Sequence, residues 1–192
     1  MLYGFRRLTY PFIGAALLAC GGDSADGTSS EQTSVTIPAG TPGPAGDCTD
    51  EARTEILALV NDARAEGTTC GATAYSPVGP LTWNCTMETA AIAHSVDMGR
   101  FDIVEHTGSD GLSPGGRLSA AGYHWSRVGE NIAAGPPTPE VVVQGWLDSP
   151  GHCTNIMNGD SEEMAIGWYE PHPERDTTYT IYWTQKFATP LA

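Results

Sequence analysis

The chain has 192 residues, of which 40% are hydrophobic, and its five tryptophans all lie after position 80. This length and composition allow one hydrophobic core, so we expect a single folded domain. The formal net charge is −14 and Lys186 is the only lysine, which excludes tight electrostatic binding to the phosphates of nucleic acid.

The first 19 residues have the organisation of a bacterial export signal. Arg6 and Arg7 precede an apolar run over residues 8–19, which is too short to cross a bilayer as a helix. Residues 17–20 (LLAC) resemble a lipobox, in which cleavage leaves Cys20 as a lipid-carrying N-terminus; an ordinary signal peptide cut elsewhere is the alternative. Both predict export. Because Gly21 rather than Asp follows Cys20, the resemblance to lipoproteins favours the outer membrane or cell surface over the inner membrane; a periplasmic or secreted protein is the alternative.

Residues 20–47 predict a flexible tether. They are almost entirely Gly, Ser, Thr, Pro, Ala and Asp, with Val35 and Ile37 as the large apolar residues, so burial cannot offset the entropy of ordering them. We therefore expect contact with the membrane only through the N-terminal lipid, and a folded domain over residues 48–192.

Four further cysteines are expected to form two disulfides, because their number is even and export places them in an oxidising compartment. They are Cys48, Cys70, Cys85 and Cys153. Spacing does not rank the three possible pairings; we favour Cys70–Cys153 with Cys48–Cys85. The first would close a long stretch of chain, worth about 4–5 kcal/mol in the chain-entropy model, and would fix His152, which we expect on a loop after the fourth helix. A metal site made of cysteines is the rival interpretation, but no pair has CxxC spacing.

Apolar periodicity and capping residues predict four helices, at residues 50–66, 86–101, 114–121 and 139–147. Thr49 and Thr138 suit the N-caps of the first and fourth. The apolar stripe of the second includes His94 and Phe101, and we assign both to the core. The valine run in the fourth segment would also suit a strand, but Pro139 directly after the cap favours a helix.

The C-terminal part changes to a period of two. Large apolar residues alternate over residues 164–169 and 179–184, which predicts two antiparallel strands joined by residues 171–176. Residues 128–133 are expected to add a third strand. Helices gathered around a small antiparallel sheet predict an α+β sandwich.

Three polar residues are candidates for a site: His106, Glu130 and His152. They are too far apart in the sequence for one turn, so only the fold can bring them together. Two neutral imidazoles and a carboxylate make a three-ligand site with an open position, which suits Zn²⁺ best. Without metal they would hold a polar ligand, or the carboxylate would orient an imidazole as a general base. A purely structural pairing of Glu130 with a histidine is the remaining interpretation.

Five short motifs occur in the order found in one protein family. They are residues 59–64 (LVNDAR), 80–84 (PLTWN), 129–133 (GENIA), 146–152 (WLDSPGH) and 182–185 (YWTQ). Together they resemble the CAP superfamily of cysteine-rich secretory, antigen 5 and pathogenesis-related 1 proteins, whose bacterial members are SCP-like extracellular proteins. The resemblance covers about residues 50–188 and implies an α-β-α sandwich with a central cleft.

In that family two histidines and two acidic residues line the cleft. The motifs place His106, Glu130 and His152 at three of these positions. The second acid falls on Ser149, with Asp148 one residue earlier, so this corner departs from the family pattern. The resemblance implies a small molecule, a lipid or a divalent metal as the ligand.

Three functions are consistent with these patterns. We favour an exported, lipid-anchored binding domain whose cleft holds a small ligand or a divalent metal. The alternatives are a cell-envelope hydrolase that acts on peptidoglycan or peptide with Glu130 as acid or base, and a surface interaction domain with a vestigial cleft. The sequence contains no HExxH motif of a zinc peptidase, and we lean against an enzyme. No motif indicates a protein partner.

Overall fold

The computed structural model describes Cys48 and residues 51–192. The elements follow one another as α1 (Glu51–Glu66), β1 (Thr68–Cys70), β2 (Thr73–Tyr75), β3 (Thr82–Trp83), α2 (Cys85–Phe101), α3 (Pro114–Ala120), β4 (Trp125–Ala134), α4 (Pro139–Asp148), α5 (Pro150–Ile156), β5 (Glu163–Tyr169) and β6 (Tyr182–Pro190). The predicted signal peptide, the lipidation of Cys20, the tether and the Thr49 cap lie outside the described residues. Within the described residues, no helix combines the length and apolar character needed to span a membrane.

A four-stranded sheet in the order β3-β5-β6-β4 forms the centre of the fold. β6 pairs antiparallel with β5 on one side and with β4 on the other, which confirms the predicted hairpin and third strand. β6 runs from Tyr182 to Pro190 rather than over residues 179–184. Before it, Thr178 donates hydrogen bonds to Asp102, and the Ile181 carbonyl accepts one from the backbone of Gly135. The short strands β1, β2 and β3 carry too few residues to show a period in the sequence.

Helices cover both faces of the sheet. Because successive strand residues point to opposite faces, β5 divides its side chains between two cores. Met164 and Ile166 pack with residues of α1, α4 and α5, whereas Ala165 packs with residues of α2 and α3. The predicted α+β sandwich is therefore confirmed, with its sheet between two helical layers.

The helix α2 approaches the sheet closely at Gly167. A β-carbon at that position would lie 2.2 Å from the backbone nitrogen of Ile92, so the contact requires glycine. Ser95 of the same helix donates one hydrogen bond to the Gly167 carbonyl at 3.0 Å, and its hydroxyl lies 2.8 Å from that of Thr184. These contacts hold α2, the helix that precedes His106, against the sheet.

Both favoured disulfides are present, Cys48–Cys85 and Cys70–Cys153. The second joins β1 to α5, a helix at the place where the sequence predicts a loop. That expectation is wrong because Pro150 starts a new helix at its first position, where proline needs no hydrogen-bonded N–H, besides following the end of α4. His152 therefore stands on a helix.

Two helical side chains have a burial that the sequence does not predict. Phe101, expected in the core, is 60% exposed at the end of α2. Arg64 is buried on the inner face of α1, where its guanidinium donates hydrogen bonds to the carbonyls of Gly79, Ile156 and Asn158. These carbonyls replace the water that a buried cation loses, so a charged residue takes part in the core.

Candidate functional site

Glu130 is the centre of the candidate site. β4 and β6 place it directly opposite Lys186, and opposite residues of an antiparallel pair project from the same face. The Glu130 side chain is 2% exposed and accepts a hydrogen bond from the Lys186 ammonium. The chain's only lysine is therefore buried against this carboxylate.

Arg117 binds the same carboxylate from α3. Its Nη2 donates to the two Glu130 oxygens at 3.1 and 2.8 Å, and to the backbone carbonyl of His106 at 2.8 Å. Its Nη1 donates to the carbonyl of Leu112 at 2.7 Å. One guanidinium thus holds Glu130 and both ends of the loop over residues 106–112.

The two cations keep Glu130 ionised. Burial alone would raise the pKa of Glu130, but Lys186, Arg117 and the hydrogen bond from His106 outweigh burial and leave that pKa below its ordinary value. Burial lowers the pKa of Lys186 to about 8 despite the attraction of Glu130, so the lysine is still mainly protonated at neutral pH. Glu130 is therefore an ionised hydrogen-bond acceptor and not a proton donor.

His106 lies on the loop after α2 and reaches Glu130 from outside. Its Nδ1 is 2.8 Å from Glu130 Oε1, and its side chain is 52% exposed. Because Glu130 is ionised, Nδ1 donates this hydrogen bond and Nε2 is the nitrogen left for a ligand. Asp97 of α2 accepts hydrogen bonds from the backbone and hydroxyl of Ser109, so the loop is tied to α2 as well as to α3.

His152 lies half-buried on α5. Asn131, next to Glu130 in β4, donates from Nδ2 to the His152 carbonyl at 3.2 Å. Asn155 donates to the Glu130 carbonyl at 3.1 Å and to Asn131 Oδ1 at 2.8 Å. Burial and, to a smaller extent, His106 lower the pKa of His152. The two asparagines therefore tie α5, which carries His152, to the strand that carries Glu130.

The candidates for the fourth corner of the cleft are Asp148 and Ser149. Asp148 is exposed at the end of α4, where it accepts a hydrogen bond from Gln144, and it borders a separate depression together with Glu66. Ser149 occupies the N-cap position of α5 without a side-chain capping bond. In the part of the chain that the structure describes, neither side chain bonds to Glu130, so the carboxylate has no acidic neighbour from this segment.

The occupied oxygens of Glu130 limit how a metal would bind. Among the described residues, no group of three or more His, Cys, Asp or Glu side chains is arranged to hold a metal ion. Zinc binding by His106, Glu130 and His152, expected from the sequence, stays a prediction.

The sequence patterns do not identify Arg117 and Lys186 as partners of Glu130. Lys186 offers a signal, because a lysine within an otherwise buried strand needs a paired group. His94 is buried as predicted: its Nε2 lies 2.9 Å from the Glu105 carbonyl and 3.9 Å from Glu130 Oε1. Burial lowers the pKa of His94 to about 4, so this histidine is neutral and adds no charge to the group.

Residues 111–115 (GLSPG) match the GxSxG pattern of esterase nucleophiles, which requires a sharp turn from a strand into a helix. In this structure a loop precedes them, and Ser113 Oγ accepts a hydrogen bond from the backbone of Gly116 as the N-cap of α3. The serine begins the helix that carries Arg117, and its surroundings are not those of a nucleophile elbow.

The sheet between two helical layers is the fold of a CAP domain. The chain belongs to the cysteine-rich secretory protein family, whose CAP model matches residues 57–187. The Bacillus subtilis (strain 168) protein YkwD is 33% identical over 108 residues, and the membrane protein YlbC of the same strain is 30% identical over 87 residues. These matches cover 56% and 45% of this chain, but 39% and 25% of those relatives.

Two solved structures share the fold. An extracellular protein containing a SCP domain from Bacillus anthracis str. Ames is 25% identical with a TM-score of 0.58, and the match covers 75% of this chain and 45% of that one. An outer surface protein from Borrelia burgdorferi is 21% identical with a TM-score of 0.55, covering 72% of this chain and 89% of that one. The family predicted from five motifs is confirmed.

Proposed function

We propose that this protein is an exported CAP-domain protein that binds a small polar ligand through His106 and His152. The two disulfides support an oxidising compartment, and the similar Bacillus anthracis protein is described as extracellular. The lipobox at Cys20 supports attachment to the outer membrane or cell surface, with the domain held away from the bilayer by the tether.

The observation that carries the proposal is the arrangement around Glu130. Because this carboxylate is buried and held by two cations, the groups left to meet a ligand are the two imidazoles. Glu130 holds His106 through Nδ1 at 2.8 Å, and the lowered pKa of His152 keeps that ring neutral at neutral pH. Imidazole nitrogens suit polar small molecules, the headgroup of a lipid or a divalent metal ion.

Zn²⁺ is the probe that tests the imidazole pair. Isothermal titration calorimetry of the purified full chain should give about one bound Zn²⁺ per chain, and His106→Ala or His152→Ala should each abolish it. His124→Ala is a matched control, because His124 is an exposed histidine outside the Glu130 group, and this variant should bind as the parent does. Zinc binding that survives both cleft substitutions would contradict the proposal.

A cell-envelope hydrolase is the second candidate, and the hydrogen bond between His106 and Glu130 favours it. A carboxylate that holds one imidazole nitrogen leaves the other as a general base for water. In this candidate His106 is the base and Glu130 positions it, since Glu130 is too enclosed to transfer a proton itself. The purified chain should release products from peptidoglycan or peptides and His106→Ala should stop it; no turnover over a broad panel would leave ligand binding as the function.

A further inference from the structure

A groove of about 420 Å³ runs between α2 and α3. Four of its fourteen lining residues are alanines: Ala90, Ala93, Ala120 and Ala121. Side chains this small leave a recess between the two helices, with a volume in the range of protein sites that enclose a small molecule or large side chains. Arg117 lines the groove as well as binding Glu130, but His106 and His152 do not line it.

A large apolar side chain projects at one end of this recess. Phe101, the last residue of α2, lines the groove and is 60% exposed, and Leu112 lines it from the loop. Contiguous exposed apolar surface marks interaction sites. At a rise of 1.5 Å per residue, Phe101 is about 12 Å along the helix from Ala93 and about 16 Å from Ala90. A projecting ring and a small-residue recess therefore lie on one surface, separated along one helix.

The same surface carries both signs of charge. Arg100 lines the groove, and its guanidinium has no hydrogen bond or ion pair with the described part of the chain. Asp97 lies on the same wall, three residues earlier on α2. The chain as a whole has 23 acidic and nine basic residues, so most of its surface repels a second copy. At this groove the charges are mixed.

We propose that the groove is a two-fold interface between two copies of this chain. A surface with a projection and a matching recess is self-complementary under two-fold symmetry. If two α2 helices cross in opposite directions, Phe101 of each copy enters the alanine recess of the other. The midpoint between ring and recess lies near Asp97, so the free Arg100 of each copy comes within reach of Asp97 of the other copy. An aromatic side chain anchored in a recess is typical of interface hot spots.

Sedimentation velocity of the purified full chain tests this interface. The sedimentation coefficient should rise with protein concentration between about 1 μM and 1 mM, as expected for a weak dimer. Phe101→Ala and Arg100→Glu should each raise the dissociation constant at least about tenfold, because one removes the anchor and the other sets two carboxylates against each other. Val141→Ala is the matched control, because Val141 is 49% exposed on α4, in the other helical layer. This substitution should leave the dissociation constant of the dimer unchanged.

Two results would overturn the proposal. One is a chain that stays monomeric over the whole range, and the other is a dimer that neither Phe101→Ala nor Arg100→Glu weakens. A monomer that enhances the fluorescence of 1-anilinonaphthalene-8-sulfonate, with Phe101→Ala removing the enhancement, would assign the groove to a small apolar molecule instead. Phe101 and Arg100 are exposed, so both variants should keep the circular dichroism spectrum of the folded chain. None of these measurements depends on the two cleft histidines.

Discussion

Replacing Glu130 with glutamine keeps the shape of the side chain but removes its charge. Glu130→Gln leaves Arg117 and Lys186, whose side chains are 6% and 0% exposed, buried without their counter-charge. Removing one partner of a buried ion pair costs about 3–5 kcal/mol. We therefore expect the free energy of unfolding to fall by about 4 kcal/mol, which lowers the Tm by about 10 °C for a chain of this size.

Urea unfolding followed by tryptophan fluorescence at neutral pH measures this loss. Glu162→Gln is the control, because Glu162 is exposed and its substitution should change stability by less than about 0.5 kcal/mol. The pKa of Glu130 lies below its ordinary 4.5 in the folded chain, so its stabilising effect is complete above that value and is lost as the pH falls through the lower folded pKa. The difference in unfolding free energy between the parent and Glu130→Gln should therefore become smaller at acidic pH. A Glu130→Gln variant as stable as the control at neutral pH would refute the reasoning.

Two further predictions concern Lys186 and the disulfides. The pKa of Lys186 falls from 10.5 to about 8 on folding, so the unfolded chain binds more protons between these values and stability rises with pH there. The unfolding free energy of the parent should therefore rise relative to that of Lys186→Met over that interval. A difference that stays constant with pH would contradict the lowered pKa of Lys186. Replacing Cys70 and Cys153 with alanine should cost about 4–5 kcal/mol, and replacing Cys48 and Cys85 about 4 kcal/mol, because the bonds close 83 and 37 residues. A larger loss of unfolding free energy on removing Cys48–Cys85 than on removing Cys70–Cys153 would contradict the chain-entropy model.

Regular elements were predictable where local chemistry and the fold agree. In β5 the larger Met164 and Ile166 pack against one helical layer and the smaller Ala165 against the other, so this strand shows its period in the sequence. Of the alternating residues 179–184, only residues 182–184 lie in β6. Thr138 caps α4 as predicted, with its hydroxyl accepting from the Val141 backbone. Pro150 shows the limit of such signals, because proline suits both the residue after one helix and the first residue of the next.

The sequence pointed to His106, Glu130 and His152, but not to the buried cations Arg117 and Lys186. His106, Glu130 and His152 stand in recognisable motifs, and a family with five motifs constrains their placement. Arg117 and Lys186 reach Glu130 through the register of β4 with β6 and the docking of α3, which depend on contacts between distant parts of the chain. The sequence alone therefore suggested a carboxylate free to bind a ligand, whereas in the structure two buried cations balance the charge of Glu130.

Hydrogen bonds within the folded chain hold the loop over residues 106–112 in place without a ligand. Arg117 holds the carbonyls at its two ends, Asp97 holds its middle through Ser109, and Glu130 fixes the ring of His106. Binding to such a loop loses little conformational entropy, because the ordering was completed during folding. A domain built this way selects ligands that already fit its shape, and its cleft should look nearly the same with and without them.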